Sequence, residues 1–198
     1  LQLSDDTAFN KAFMVLIQFP AILSVVLYFW GDIWPFVEDA AVRAQRMRLW
    51  KKILAALLPV LVLGALFGDV IDKLLFAPIP VAIALAGGGV VLIVMERVLD
   101  ASRVRELDDV SMRSALVIGL FQCVAMIPGT SRSGATIFGA MVLGVDRKTA
   151  AAFSFILAIP TMAAATGYKL IQNGLSFTGE QWRSEEHTSE LQSRRKLV

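Results

Sequence analysis

Residues 127–137, IPGTSRSGATI, set a permanent cation, Arg132, among four hydroxyls, Thr130, Ser131, Ser133 and Thr136, between two apolar runs. Pro128 cannot continue a helical hydrogen-bond ladder, and Gly129 opens dihedrals closed to other residues. Thr130 or Ser131 is then a suitable N-cap for a new helix. The amides of Ser131, Arg132, Ser133 and Gly134 would be unpaired first-turn donors, at the positive end of the helix dipole. Such an end attracts anions, and the planar fork of Arg132 suits phosphate oxygens. Thr136 is spaced from Arg132 and Ser133 so that all three can share a helix face. An intramembrane arginine is costly unless it faces a partner or a watery cavity. These residue types in this order point to a pocket for a phosphate or pyrophosphate group within a membrane.

Other readings stay open at this level. Arg132 could pair with a structural carboxylate, and the hydroxyls could satisfy helix ends. Gly129 to Thr136 approaches the Walker pattern G-x-x-x-x-G-K-[ST], but Ala135 stands in the lysine position and no strand pattern precedes it. Ala135 with Gly139, and Ala140 with Gly144, are small residues four apart and read as helix-packing contacts.

The elements around this stretch must be membrane elements. The 198-residue chain is 56% hydrophobic and only 18% charged, against about 25% charge in a soluble domain, so the bilayer is the relevant solvent. Its net charge of +2 carries no nucleic-acid signal. Cys123 is the single cysteine, and it reads as a small packing residue. Four runs suit spanning helices: Phe9–Trp30, with Trp30 and Trp34 as interfacial anchors, Ile53–Phe67, Ile79–Met95 and Ala150–Leu170. Gly87-Gly88-Gly89 would let helices approach closely.

The segment Ser114–Gly144 differs from these, because Pro128-Gly129 divides it. Each half has about 12 to 15 residues, so it reaches about 18 to 22 Å, short of a roughly 30 Å hydrocarbon core. Two half-length helices around a polar turn predict a re-entrant hairpin, tolerated where it is buried in protein or lines a cavity. With that topology the basic loops fall on one side. They hold Arg43, Arg46, Arg48, Lys51 and Lys52, then Arg97, Arg103, Arg105 and Arg113, then Arg147 and Lys148. That side would be cytoplasmic.

The chain begins at Leu1 without a methionine or a signal peptide, which reads as an internal start. Residues 183–198 change composition abruptly, and RSEEHTSELQS reads like a translated sequencing adapter. We take 183–198 as a non-native tail and 1–182 as a partial transmembrane domain. His187, the only histidine, leaves the candidate site with that tail.

GLFQCVAMIPGTSRSGATI, followed by AAAFSFILAIP, closely resembles the bacterial undecaprenyl-pyrophosphate phosphatase family of the bacitracin-resistance type. AFNKAFMVLIQFPAILSVVLYFW and GGGVVLIVMER extend the resemblance from Leu1 to about Trp182. It implies an all-α, polytopic integral membrane protein of the bacterial inner membrane, built as an inverted repeat with re-entrant hairpins. The implied activity removes the terminal phosphate of a C55 polyprenyl pyrophosphate, with Mg²⁺ or Ca²⁺ assisting, and recycles the carrier lipid for peptidoglycan synthesis. Carried over, Ser131, Arg132 and Thr136 match the family's functional positions, and Gly129, Ser133 and Gly134 match its loop. Thr130 in the same loop and Gln122 just before it join them as substrate-binding candidates, while Gln18 and Ser154 match recurring polar positions. The family's other motif, with its glutamates and a P-V-S-S-T-G-H block, would lie upstream of Leu1. Metal ligands are expected there, and the chain alone is expected to be inactive. The rival from another class is a lipid-phosphate transporter or flippase, which would bind the same headgroup without chemistry.

Overall fold

The computed structural model describes residues 20, 22–75, 77–98 and 104–173. One compact unit spans Ile22–Thr161; of a second unit only residues 20 and 162–173 are described. The described residues form helices joined by loops, with a single Val104–Val145 bridge and no strand among them. The fold is all-α, and three helices are long and apolar enough to cross a membrane.

Residues 22–28 are helical and lead into the one-turn helix Trp30–Ile33. Trp30 and Trp34 stack with ring centroids 4.4 Å apart and both are exposed, as interfacial anchors would be. Most of the span expected at 9–30, Gln18 included, lies outside the described residues.

Helix α1 runs over Ala40–Leu75, 36 residues, far beyond the apolar run Ile53–Phe67. The expected loop at Arg43–Lys52 is therefore the start of this helix. Arginine, lysine, alanine and leucine are all good helix formers, and no proline or glycine interrupts them before Pro59. Hydropathy marks where a helix can meet lipid, while helix length depends on backbone continuity. The basic residues still precede the apolar part of α1.

Helix α2 follows at Pro78–Val98. A Cβ built on Gly87, Gly88 or Gly89 meets nothing within 4 Å, so the close approach expected there is not made by the described residues. Most of α2 is exposed apolar surface, from Ile79 to Val94, as suits a lipid-facing helix.

The broken segment forms as expected. Helix α3 is Met112–Cys123, a 3-10 turn covers Val124–Met126, and helix α4 is Arg132–Val142. With 12 and 11 residues, the halves are about 16 to 18 Å long. Glycines let them pack: a Cβ on Gly139 would sit 2.6 Å from the Phe121 ring, and one on Gly119 would collide with the Ala56 backbone of α1. Gly144 plays a different part from the packing role expected of it. Its φ of +80° ends α4, and its Cβ position is open.

Helix α5, Arg147–Asn173, carries the deepest residues, Phe153, Ile156 and Leu157, which join Ile53 and Ala56 of α1 and Ala115 and Ile118 of α3 in the core. Asp108, in the loop before α3, anchors that loop to α1. It takes two bonds from Arg48, at 2.8 and 3.2 Å, while buried Lys52 donates to its backbone oxygen at 2.5 Å. These partners stand 60 and 56 positions away, so sequence spacing carried no sign of them.

Candidate anion site at the broken helix

The loop is built to hold its shape. Gly129 adopts φ +96°, and its α-carbon lies so close to α2 that a Cβ would come 2.6 Å from the Val81 carbonyl oxygen. Thr130 closes the end of the first half: its Oγ1 donates toward Ile127 O at 2.7 Å and Val124 O at 2.9 Å. Ser131 is the N-cap of α4, in extended backbone, with its Oγ accepting from Gly134 N at 3.1 Å. The two N-cap candidates thus divide the work, one finishing a helix and the other starting the next. The Gly134 amide, expected to be free, is the donor that the cap satisfies. The helical ladder begins with Ala135 N donating to Ser131 O at 2.9 Å, so the Arg132 and Ser133 amides precede it.

Arg132 is partly buried, and its Nη1 is buried with no hydrogen-bond partner among the described residues. Among the described residues Arg48 and Lys52 pair with Asp108, and no ion pair falls on Arg132. The structural carboxylate left open for Arg132 is therefore not supplied by them. A partly buried arginine fork at a helix N-terminus, with one nitrogen buried and unpaired, is the chemistry of an anion receptor. Ser133 Oγ lies 3.3 Å from Ser131 Oγ and is only partly exposed, which puts both hydroxyls on this turn.

Thr136 lies one helical turn further along and is 1% exposed. Its Oγ1 contacts Arg132 O at 3.0 Å, Ser133 O at 3.1 Å and Ser154 Oγ on α5 at 2.6 Å. The structure places this hydroxyl behind the anion-binding turn. Gln122, 1% exposed at the end of α3, donates from Nε2 to Thr161 Oγ1 of α5 at 3.5 Å, and its Oε1 is buried without a partner. No hydrogen bond among the described residues joins Gln122 to the Arg132 turn. Ser131, Arg132, Ser133 and Gly134 are thus gathered on one turn with Gly129 and Thr130 directly before it. Thr136 and Gln122 reach toward α5.

Thr161 was not singled out in the sequence, although a signal was there. Ser154 and Thr161 are seven apart in an otherwise apolar helix, so they share one face. No group of three His, Cys, Asp or Glu residues among the described residues could hold a metal ion. The groups around Arg132 are amides, hydroxyls and a guanidinium, a donor set for anions.

Residues 1–191 match the protein family described as bacitracin resistance protein BacA. The chain is 49% identical over 179 residues to an undecaprenyl-diphosphatase of Fusobacterium nucleatum, covering 88% of this chain and 67% of that protein. It is 44% identical over 184 residues to undecaprenyl-diphosphatase 1 of Clostridioides difficile, covering 92% and 67%. It is 49% identical over 158 residues to an undecaprenyl-diphosphatase of Pseudomonas aeruginosa, covering 80% and 57%. The chain therefore spans about 57 to 67% of the length of these relatives.

Proposed function

The chain belongs to the bacitracin resistance protein BacA family, and from that premise we propose that its protein hydrolyses undecaprenyl pyrophosphate to undecaprenyl phosphate and inorganic phosphate in the bacterial membrane. The observation that carries the site assignment is the buried, unpartnered Nη1 of Arg132 at the N-terminus of α4.

A pyrophosphate entering this turn meets the Arg132 fork, the Arg132 and Ser133 amides and the positive end of the helix dipole. These fixed donors need no reorganisation as negative charge grows on the phosphoryl oxygens, so they favour the transition state. Ser131 and Ser133 can each donate a hydroxyl proton to a phosphate oxygen. The Ser131 oxygen meanwhile keeps its bond from Gly134. Thr136 acts from behind, through the backbone carbonyls it touches. Water supplies the oxygen that replaces the bridging P–O bond, and the leaving group is the lipid monophosphate. The apolar faces of α1, α2 and α5 provide the surroundings for a prenyl tail.

Mg²⁺ or Ca²⁺ assistance is part of the proposal through the family resemblance alone. The described residues bring no three His, Cys, Asp or Glu side chains together for a divalent cation, and no step above depends on one. The test is phosphate release from undecaprenyl pyrophosphate by the purified full-length parent of this chain in lipid vesicles. Stoichiometric inorganic phosphate and undecaprenyl phosphate are the predicted products. Transfer of intact lipid between leaflets without phosphate release would instead establish a transporter.

A further inference from the structure

The turn that carries Arg132 is held from outside the loop. Ser154 lies on α5 and is 3% exposed, and its Oγ is 2.6 Å from Thr136 Oγ1. Thr136 Oγ1 also lies 3.0 Å from Arg132 O and 3.1 Å from Ser133 O. Carbonyl oxygens only accept, so those contacts require the single Thr136 proton. The 2.6 Å contact then requires Ser154 to donate to Thr136.

The same helix face repeats the arrangement two turns later. Thr161 Oγ1 donates to Leu157 O at 2.6 Å and accepts from Gln122 Nε2 at 3.5 Å. Ser154 therefore fastens the start of α4, and Thr161 fastens the end of α3. The break in the hairpin lies between the two fastenings. In a core otherwise made of Phe153, Ile156, Leu157 and similar residues, a hydroxyl bonded to another hydroxyl is a directional contact. Apolar packing would hold α5 against α4 without fixing its rotation.

We infer that Ser154 is a positioning residue for the phosphoryl-transfer site. It holds Thr136, and through Thr136 the backbone of Arg132 and Ser133, so that the guanidinium and first-turn amides keep one geometry. This inference rests on the pyrophosphate reading of Arg132 given above. Small displacements of a positioned group cost rate steeply.

A double-mutant cycle on the purified full-length parent in lipid vesicles tests it, with kcat/KM for phosphate release from undecaprenyl pyrophosphate as the readout. Ser154→Ala lowers kcat/KM about ten-fold, while Ser154→Thr, which keeps the hydroxyl, retains most of it. In an Arg132→Lys background, Ser154→Ala costs less than about two-fold more, because the geometry it protects is already lost. A merely structural Ser154 would give the same factor in both backgrounds, and that result overturns the inference. So does an unimpaired Ser154→Ala when Arg132→Lys is impaired. An unimpaired Arg132→Lys shows that charge without the fork geometry suffices, which overturns the positioning role of Ser154; an unimpaired Arg132→Ala sinks the pyrophosphate reading itself. If Ser154→Ala does not survive purification, Ser154→Cys, a weak donor of similar size, replaces it in the same cycle.

Discussion

Gly129 and Val81 touch backbone to backbone: at φ +96° the glycine lies where any Cβ would come 2.6 Å from the valine carbonyl oxygen. The loop that ends α3 is thereby seated on α2, and two independent constraints exclude a side chain. Gly129→Ala pays for a left-handed conformation, about 1 to 2 kcal/mol, and must also push the loop off α2. The predicted result is a lower thermal midpoint together with at least a ten-fold loss of phosphate release. Activity at the native level would show that the seating of the loop does not matter.

Ser131 has two separable duties, capping α4 and facing the anion. Ser131→Ala removes the acceptor of the 3.1 Å bond from Gly134 N, a change of about 1 kcal/mol in stability. Ser131→Asp restores a cap but adds a negative charge beside the pyrophosphate. Thermal unfolding of Ser131→Asp is therefore predicted to match the native protein while its turnover stays below that of Ser131→Ala. Equal turnover in the two variants would remove Ser131 from the anion-facing set.

Asp108 gives a pH-dependent readout remote from the site. The bond from Arg48 holds its carboxyl below the usual carboxylate range, with attraction to Lys52 and Arg48 helping and burial opposing. A carboxyl depressed in the folded state adds stability above its unfolded pKa, about 4, and that stability is lost as pH falls through the lower folded value. Asp108→Asn should thus lower the thermal midpoint at pH 7, with the difference shrinking as pH falls below the unfolded carboxyl's pKa of about 4. A difference that stays constant across this range would mean that the ion pair contributes nothing.

Much of this arrangement was readable in the chain. Pro128 and Gly129 announced the break, and the short halves announced the hairpin, because both are local consequences of backbone chemistry. The placement of Arg132 beside a helix start was equally local. What spacing did not reveal was non-local. Asp108 meets Arg48 and Lys52 across a long stretch of chain, and Thr136 meets Ser154 across 18 positions. Thr136 could be put on the face of Arg132 by its spacing, but which neighbour claimed its hydroxyl depended on how α5 packs. The basic stretch Arg43–Lys52 read as a loop because charge interrupts hydropathy, whereas nothing there interrupts a helix.

The described anion cradle has no carboxylate, histidine or cysteine cluster to hold a metal ion. Binding of inorganic pyrophosphate to the purified protein, measured by calorimetry, is therefore predicted to survive chelation with EDTA. Chelation is predicted to stop phosphate release, through the metal dependence proposed by resemblance. Loss of pyrophosphate binding on chelation would place the metal within the cradle and contradict this division.

The central claim is that Arg132 holds the pyrophosphate, and kcat/KM for phosphate release from undecaprenyl pyrophosphate by Arg132→Ala tests it most directly. Losing two charge-assisted hydrogen bonds predicts a fall of about 10² to 10⁴-fold, with the thermal midpoint unchanged or raised, since the variant removes a partly buried guanidinium whose Nη1 has no partner among the described residues. A folded Arg132→Ala protein that releases phosphate at the native rate would contradict the account.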